Sequence, residues 1–327
     1  MKRASKLPTP IKGKMGTYLD LRTDFGFKRI FGTETEKDVL IAFLNDILIN
    51  RKVITDISFN PNEQTGPLPG SRKMVLDLIC TGQNGEQFII EVQRIYHPNF
   101  IDRAVFYSSR LLHDQAPKGG NWDYSLKEVY FIGILDFTLD SSAKDEYLHY
   151  IKLAYEKTGN TFYEKLAFIF IEIPKFVKTE DQLQTEMDKW LFILKNLSSL
   201  KKLPAILNRR IFGKLFQLAA ISNLTKAEFM KYEKDLMAAW DEYSFRKYAR
   251  EQGYQEGYEE GKTEGEDRGI ARGIKKGIEE GIEKGIAEKS YEIVGNMLTA
   301  GKFSIKEIAA FAGVSEAFVR KVKKKIS

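Results

Sequence analysis

Two apolar runs, MVLDLIC (74–80) and FIIEVQR (88–94), are joined by the polar segment TGQNGEQ (81–87). Branched apolar residues on both sides of a glycine-containing connector are the pattern of a β-hairpin. Each run is interrupted by acid or amide: Asp77 in the first, Glu91 and Gln93 in the second. Side chains two apart on a strand share a face, so Glu91 and Gln93 point the same way, and a hairpin partner brings Asp77 beside them. Carboxylates at the centre of a sheet are expensive to bury unless they are paired or bind a cation, and a pair of oxygen ligands with open positions suits Mg²⁺. Taken alone, the pattern also fits the solvent-facing half of an alternating sheet.

Working outward, the spacing predicts a short helix over 24–31 and a longer one to about Asn50. Thr33 and Glu36 stand in capping-box spacing before the second, which carries Val39, Leu40, Phe43, Leu44 and Ile47 on one face. Ile54–Asn60 reads as extended. Beyond Pro98 a helical pattern runs to about His113, and Val129–Phe137 reads as a buried strand because it is nearly continuous in apolar residues. Two further extended runs, Tyr147–Tyr155 and Ala167–Ile173, are separated by EKTGNTFYEK and extend the same sheet. After Pro174 the pattern turns helical over 179–198, 205–222 and 225–249, with Thr179/Gln182 and Thr225/Glu228 as capping boxes.

Several of these segments, in order, resemble one family. TDFGFKRIFG (23–32), DVLIAFLNDIL (38–48), ISFNPNEQTG (57–66), VLDLIC, FIIEVQR, DRAVFYSSRLL (102–112) and VYFIGILDF (129–137) are similar to the PD-(D/E)XK nuclease family transposases, the Rpn-like recombination-promoting nucleases. The resemblance covers roughly 20–140 and continues more loosely to about 250. It implies an α/β fold: a restriction-endonuclease-like core with a central mixed sheet flanked by helices, followed by an all-helical extension. It implies a metal-dependent DNA endonuclease associated with recombination or mobile elements, with Asp77 and Glu91 as ligands for Mg²⁺ or another divalent cation. Gln93 stands where the superfamily usually carries lysine, whose positive charge glutamine does not supply. Lys28 is placed to restore that charge, and Asp24 or Glu63 to add a carboxylate; alternatively Lys28 and Asp24 pair with each other at the helix surface. Arg103 and Tyr107, four apart on one helical face, resemble the polar motif after the catalytic strands and are expected to orient phosphate or brace the site. The missing lysine leaves a second reading open, a weak or inactive nuclease fold acting as a DNA-binding or protein-interaction module. His97, His113 and His149 have no ligand spacing and read as incidental.

The C-terminal third has its own signature. Glycine recurs every four residues from Gly253 to Gly285, nine times without a miss, and Ile270, Ile274, Ile278, Ile282 and Ile286 each follow a glycine. Glycine costs about 1 kcal/mol per helix position relative to alanine, so such a helix is weak unless close packing offsets the cost. The stretch therefore reads as a helical stalk through which the chain forms a homo-oligomer, or as a partly disordered spacer. Residues 304–327 then divide into two short helices about Gly313, a helix-turn-helix-like end whose Arg320, Lys321 and Lys324 would meet DNA phosphates. The expected organisation is thus a flexible basic arm (1–19), a nuclease-like core (20–176), a helical extension (177–250), the glycine-repeat stalk (251–289) and the C-terminal segment (290–327).

Composition bounds the rest. The chain has 327 residues, 43% hydrophobic and 29% charged, so it is neither disordered nor collagen-like. Net charge is +6, which leans toward polyanionic partners. Cys80 is the only cysteine, which excludes a disulfide framework and a cysteine-based zinc site and suits a reducing, cytoplasmic compartment. No run is long and apolar enough for a membrane span, so no membrane partner is expected.

Overall fold

A computed structural model describes residues 16–64, 74–117, 119, 122–139 and 145–326. Helices α1 (Asp24–Phe31) and α2 (Lys37–Ile47) lead into strands β1 (Ile57–Phe59), β2 (Glu63–Gln64), β3 (Met74–Val75), β4 (Leu78–Gly82) and β5 (Gln87–Gln93). Helix α3 (Phe100–His113) crosses to β6 (Val129–Leu135), and β7 (Leu148–Ala154) and β8 (Thr161–Glu172) complete the strands. The remainder is helical: α4 (Glu186–Asn196), α5 (Arg210–Ala219), α6 (Lys226–Ala300), α7 (Ile305–Ala312) and α8 (Glu316–Ile326). The basic arm expected over 1–19 lies, as far as residue 15, outside the described residues.

Six strands form one mixed sheet in the order β1-β4-β5-β6-β8-β7. β4 and β5 are antiparallel, the expected hairpin, whereas β5 pairs with β6, and β6 with β8, in parallel. A parallel neighbour requires a crossover, and α3 supplies it. The two faces of the sheet differ. Phe88 and Ile90 of β5 join a large core with α1, α2, α4 and α5, built around Trp190, Phe31, Phe43 and Phe212. Ile89 of the same strand joins a smaller core with Phe100, Ala104 and Leu111 of α3. By strand alternation Glu91 and Gln93 fall on the α3 face.

The sequence reading is corrected at several points. Thr33 and Glu36 form no side-chain cap; 34–36 is a 3₁₀ turn and α2 starts at Lys37, with Glu36 instead ion-paired to Lys214 of α5. Thr179 and Gln182 do form a capping box, but over a 3₁₀ turn, and the α-helix begins at a second box, Thr185/Asp188. β8 starts at Thr161 rather than Ala167, because Tyr155 N donates to Asn160 O and closes a tight turn in which Gly159 takes φ +70°. The change from strands to helices after Pro174 is not a break in packing: Trp190 of α4 is fully buried, donates through Nε1 to Asp46 of α2 at 2.7 Å and stacks edge-on against Phe43.

The chain divides into two compact units, one ending at Lys247 and one beginning at Tyr248. In the first, the start of α6 is tied to the N-terminal segment. Asp20 N donates to Tyr232 Oη at 2.9 Å, Phe25 N donates to Asp235 Oδ2 at 2.7 Å, and Arg29 is ion-paired with Glu228. In the second, Val294 of α6, Ile308 of α7 and Val319 and Val322 of α8 form a small core. Its helices meet through a Ser304/Glu307 capping box and a left-handed Gly313. Residues 251–289 are helical throughout, and a methyl group added at any of the nine glycines would meet nothing within 4 Å outside the helix's own turns.

Candidate active site

Leu78 pairs with Ile90 across the hairpin, and carrying that register one step further sets Asp77 opposite Glu91. There the backbone ladder gives way to side chains. Asp77 N donates to Glu91 Oε1 at 3.1 Å, and Val92 N donates to Asp77 Oδ2 at 2.7 Å. Each carboxylate thus takes a main-chain donor that a neighbouring strand would otherwise satisfy. The expected strand 74–80 is accordingly split: β3 ends at Val75, the chain bends at Asp77, and β4 begins at Leu78. Asn62 Nδ2 steadies the bend by donating to Asp77 O at 2.8 Å.

Gln93 Nε2 donates to Glu91 Oε2 at 2.8 Å, and Arg103 of α3 brings Nη2 to 3.7 Å from the same oxygen. The Arg103 guanidinium also lies 5.7 Å from the centroid of the Tyr107 ring, and Tyr107 packs half-buried against the α3-side core. Tyr107 therefore holds Arg103 rather than facing the carboxylates.

Glu91 is 2% exposed. Burial, reinforced by the negative charge of Asp77, pushes its carboxyl up to about 8. Asp77 is likewise raised, by burial and then by Asp24, against the lowering effect of the Val92 amide and the charges of Lys28 and Arg103. Two facing carboxylates, both held above their ordinary range, form a site short of positive charge. No three His, Cys, Asp or Glu side chains gather into a complete metal cluster among the described residues. Two carboxylates do match the habit of Mg²⁺, which binds few protein oxygens and completes its shell with water and substrate phosphate. The donor set therefore fits a divalent cation, with Asp77 and Glu91 as the residues able to hold it.

Asp77 opens onto a cleft of about 410 Å³ that also takes in Asp24, Gln93, Arg94, Arg103 and Arg22. Lys28, half-buried, is given to the exposed Asp24, Nζ to Oδ1 2.6 Å, so its charge reaches Asp77 only through the surrounding field. Glu63 sits on β2 in a separate two-stranded sheet with β3. His97 lies in the cleft wall, its Nδ1 accepting from Asn99 N at 3.2 Å. Arg320, Lys321 and Lys324 lie exposed on α8, with Arg320 Nη2 3.2 Å from Glu316.

Sequence reasoning missed two groups in this cleft. Arg22 and Arg94 are the first. Arg22 forks onto Asp20 (2.9 and 3.1 Å) and reaches Asp136 at 3.1 Å, while Arg94 Nη1 is buried, 3.9 Å from Asp20 Oδ2 and without a hydrogen bond. Arg94 directly follows Gln93, so its adjacency to the Glu-x-Gln run was the available signal. The second group, Asp235, Ala238, Ala239, Glu242 and Arg246 of α6, forms the opposite wall. These residues lie some 150 positions from the strands and carry no local signal.

Comparison with curated proteins finds no match, and comparison with solved structures finds none. The sequence model for the PD-(D/E)XK nuclease family transposases matches residues 21–249, which include the sheet, the facing Asp77 and Glu91, and the α6 wall. The chain belongs to that family.

Proposed function

We propose that this nuclease-family protein is a divalent-cation-dependent DNA endonuclease, and the observation that carries the reading is the buried Asp77–Glu91 pair, raised in proton affinity and opening onto an arginine-lined cleft. Asp77 and Glu91 would hold the cation, Mg²⁺ or another divalent ion. Once bound, it would polarise the phosphodiester and lower the pKa of a water nucleophile. Gln93, anchored to Glu91 Oε2, orients the attacking water by its remaining amide oxygen. Arg103 supplies beside Glu91 the positive charge that Gln93 lacks, and Arg94, with its unsatisfied Nη1, is available to a substrate phosphate. Lys28 adds to the field at Asp77. Arg320, Lys321 and Lys324 would hold duplex phosphates without reading sequence. Residues 251–289 associate with other copies of the chain, and the lone, buried Cys80 suits the reducing cytoplasm.

The test is cleavage of supercoiled plasmid by wild type and Glu91→Ala in parallel, with Mg²⁺, Mn²⁺, Ca²⁺ or EDTA. Nicking or linearisation that needs the cation and is lost in the variant is the expected result. The substitution of glutamine for lysine favours a second reading, a nuclease fold retained for binding. DNA binding by both proteins with no difference in cleavage would establish that reading instead.

A further inference from the structure

Ile270, Ile274, Ile278, Ile282 and Ile286 are each between 56% and 62% exposed, on a helix whose neighbouring glycines touch nothing. Five regularly spaced isoleucines in water form an apolar surface that wants a cover. A residue repeated every four positions advances about 40° around the helix, so Ile274, Ile278 and Ile282 span about 80° and make one face, with the outer two turned away to either side. Such a row is an i±4 ridge, and the glycine row one residue before it is an i±4 groove. Ridges of this kind seated in matching grooves give helix pairs crossing near −50°, with contact confined to the few turns around the crossing point. Glycine lets the two backbones approach closely there, which offsets its cost in an isolated helix. The surface therefore carries both halves of its own complement.

Charge fixes the direction. Ahead of Ile278 stand Arg268, Arg272, Lys275 and Lys276, with no carboxylate over 268–277. After it stand Glu279, Glu280, Glu283 and Glu288 against Lys284 and Lys289. A parallel crossing at Ile278 lays four positive charges over four positive charges, whereas an antiparallel crossing lays the basic half of each copy over the acidic half of the other. Within the chain Arg268 pairs with Glu264 at 2.9 Å and Lys276 with Glu280 at 3.7 Å; both pairs are exposed and too weak to cancel this pattern, which rests chiefly on Lys275 and Lys276 against Glu279 and Glu280 beside the crossing.

We infer that the occupant of the isoleucine face is a second copy of this chain, crossing antiparallel with its two-fold axis at Ile278. The inference rests on the self-association proposed above and adds the partner's register and direction; it is independent of cleavage. In such a pair the chains enter the crossing from opposite ends, Ile274 of each copy against Ile282 of the other.

Full-length Ile274→Cys and Ile282→Cys proteins, oxidised separately and as a mixture, test the geometry; Cys80 is buried and serves as the internal blank. Disulfide-linked dimer in the mixture only is the expected result. Dimer from each variant alone indicates a parallel pair and overturns the direction while leaving self-association standing. Sedimentation of wild type and Ile278→Glu supplies the second measurement: the wild type should be dimeric and the variant monomeric with unchanged helix content, since position 278 is exposed in the single chain. A monomeric wild type overturns the association and the crossing with it, a dimeric variant overturns the crossing at Ile278 while leaving association through another surface, and neither result touches the nuclease reading, which the plasmid assay decides.

Discussion

The first compact unit and the glycine-repeat stretch of the second solve opposite problems. Around the sheet, apolar surface is buried so completely that charge is buried with it: Glu91, Asp20, Asp136, Glu172 and Asp188 are at most 6% exposed. In residues 251–289 every residue is exposed, including five isoleucines. A buried carboxylate is tolerated where a function repays its cost, and an exposed apolar row is tolerated where a partner covers it. Asp20, Asp136, Glu172 and Asp188 find their counter-charges within the chain, in Arg22, Lys175 and Lys178, so the facing Asp77 and Glu91 and the isoleucine row are the features that the function and the association proposed above would complete.

The sharpest way to break this contrast is to remove bulk from each region. Trp190→Ala should destabilise the first unit by about 3–5 kcal/mol, because the indole is fully buried among Phe31, Phe43 and Phe212 and gives Nε1 to Asp46. Ile278→Ala should leave the unfolding of the separated monomer within about 0.5 kcal/mol of wild type. Chemical denaturation followed by tryptophan fluorescence and by circular dichroism checks both, and comparable losses would erase the distinction.

Next in size is the trapped charge. Glu91 holds its proton up to about pH 8 in the folded protein, against an ordinary value near 4.5. Between those values the native state binds a proton that the unfolded chain has released, so stability falls as pH rises through this window. Glu91→Gln should therefore be more stable than wild type by about 2–4 kcal/mol at pH 8 in EDTA, with the gap closing toward pH 4.5. Thermal melts across that range test it. Adding Mg²⁺ should stabilise the wild type and not the variant, and a pH-independent gap would mean that Glu91 binds its proton no more tightly in the fold than in the unfolded chain.

The smallest effect compares glycine with glycine. A Cβ at Gly133, in the centre of β6, would come within 2.9 Å of the Phe170 ring and 3.2 Å of Phe100, so Gly133→Ala should cost about 1–3 kcal/mol. At Gly257 a Cβ meets nothing, and Gly257→Ala should stabilise the helix by about 1 kcal/mol. Paired melts monitored by far-ultraviolet circular dichroism read both signs. A loss at Gly257 would show that this part of the repeat, too, is packed against a partner.

Much of the first unit was legible because its signals are local. Alternation in 74–94 gave the hairpin and put Glu91 and Gln93 on one face, and a short helix expected around 24–31 is α1, Asp24–Phe31. Capping was less legible. Thr33/Glu36 has the same spacing as Thr185/Asp188, yet only the latter closes, since Glu36 is drawn to Lys214 of α5, a residue nearly 180 positions away. The bend at Asp77 was unreadable for a related reason: it exists because two side chains replace ladder partners, which depends on the opposing strand.

By itself the sequence determined the order of elements, the pair of carboxylates, the lysine replaced by glutamine, and the isoleucine row with its reversal of charge at Ile278. Each depends on residue type and spacing along one element, which a one-dimensional pattern records. Only the tertiary structure decided which cations serve the carboxylates. It gave Lys28 to Asp24, set Arg103 against Glu91, brought Arg22 and Arg94 into the cleft, and made α6 its far wall. Those assignments are contests among charges far apart in sequence, settled by distance and burial, and neither quantity exists until the chain has folded.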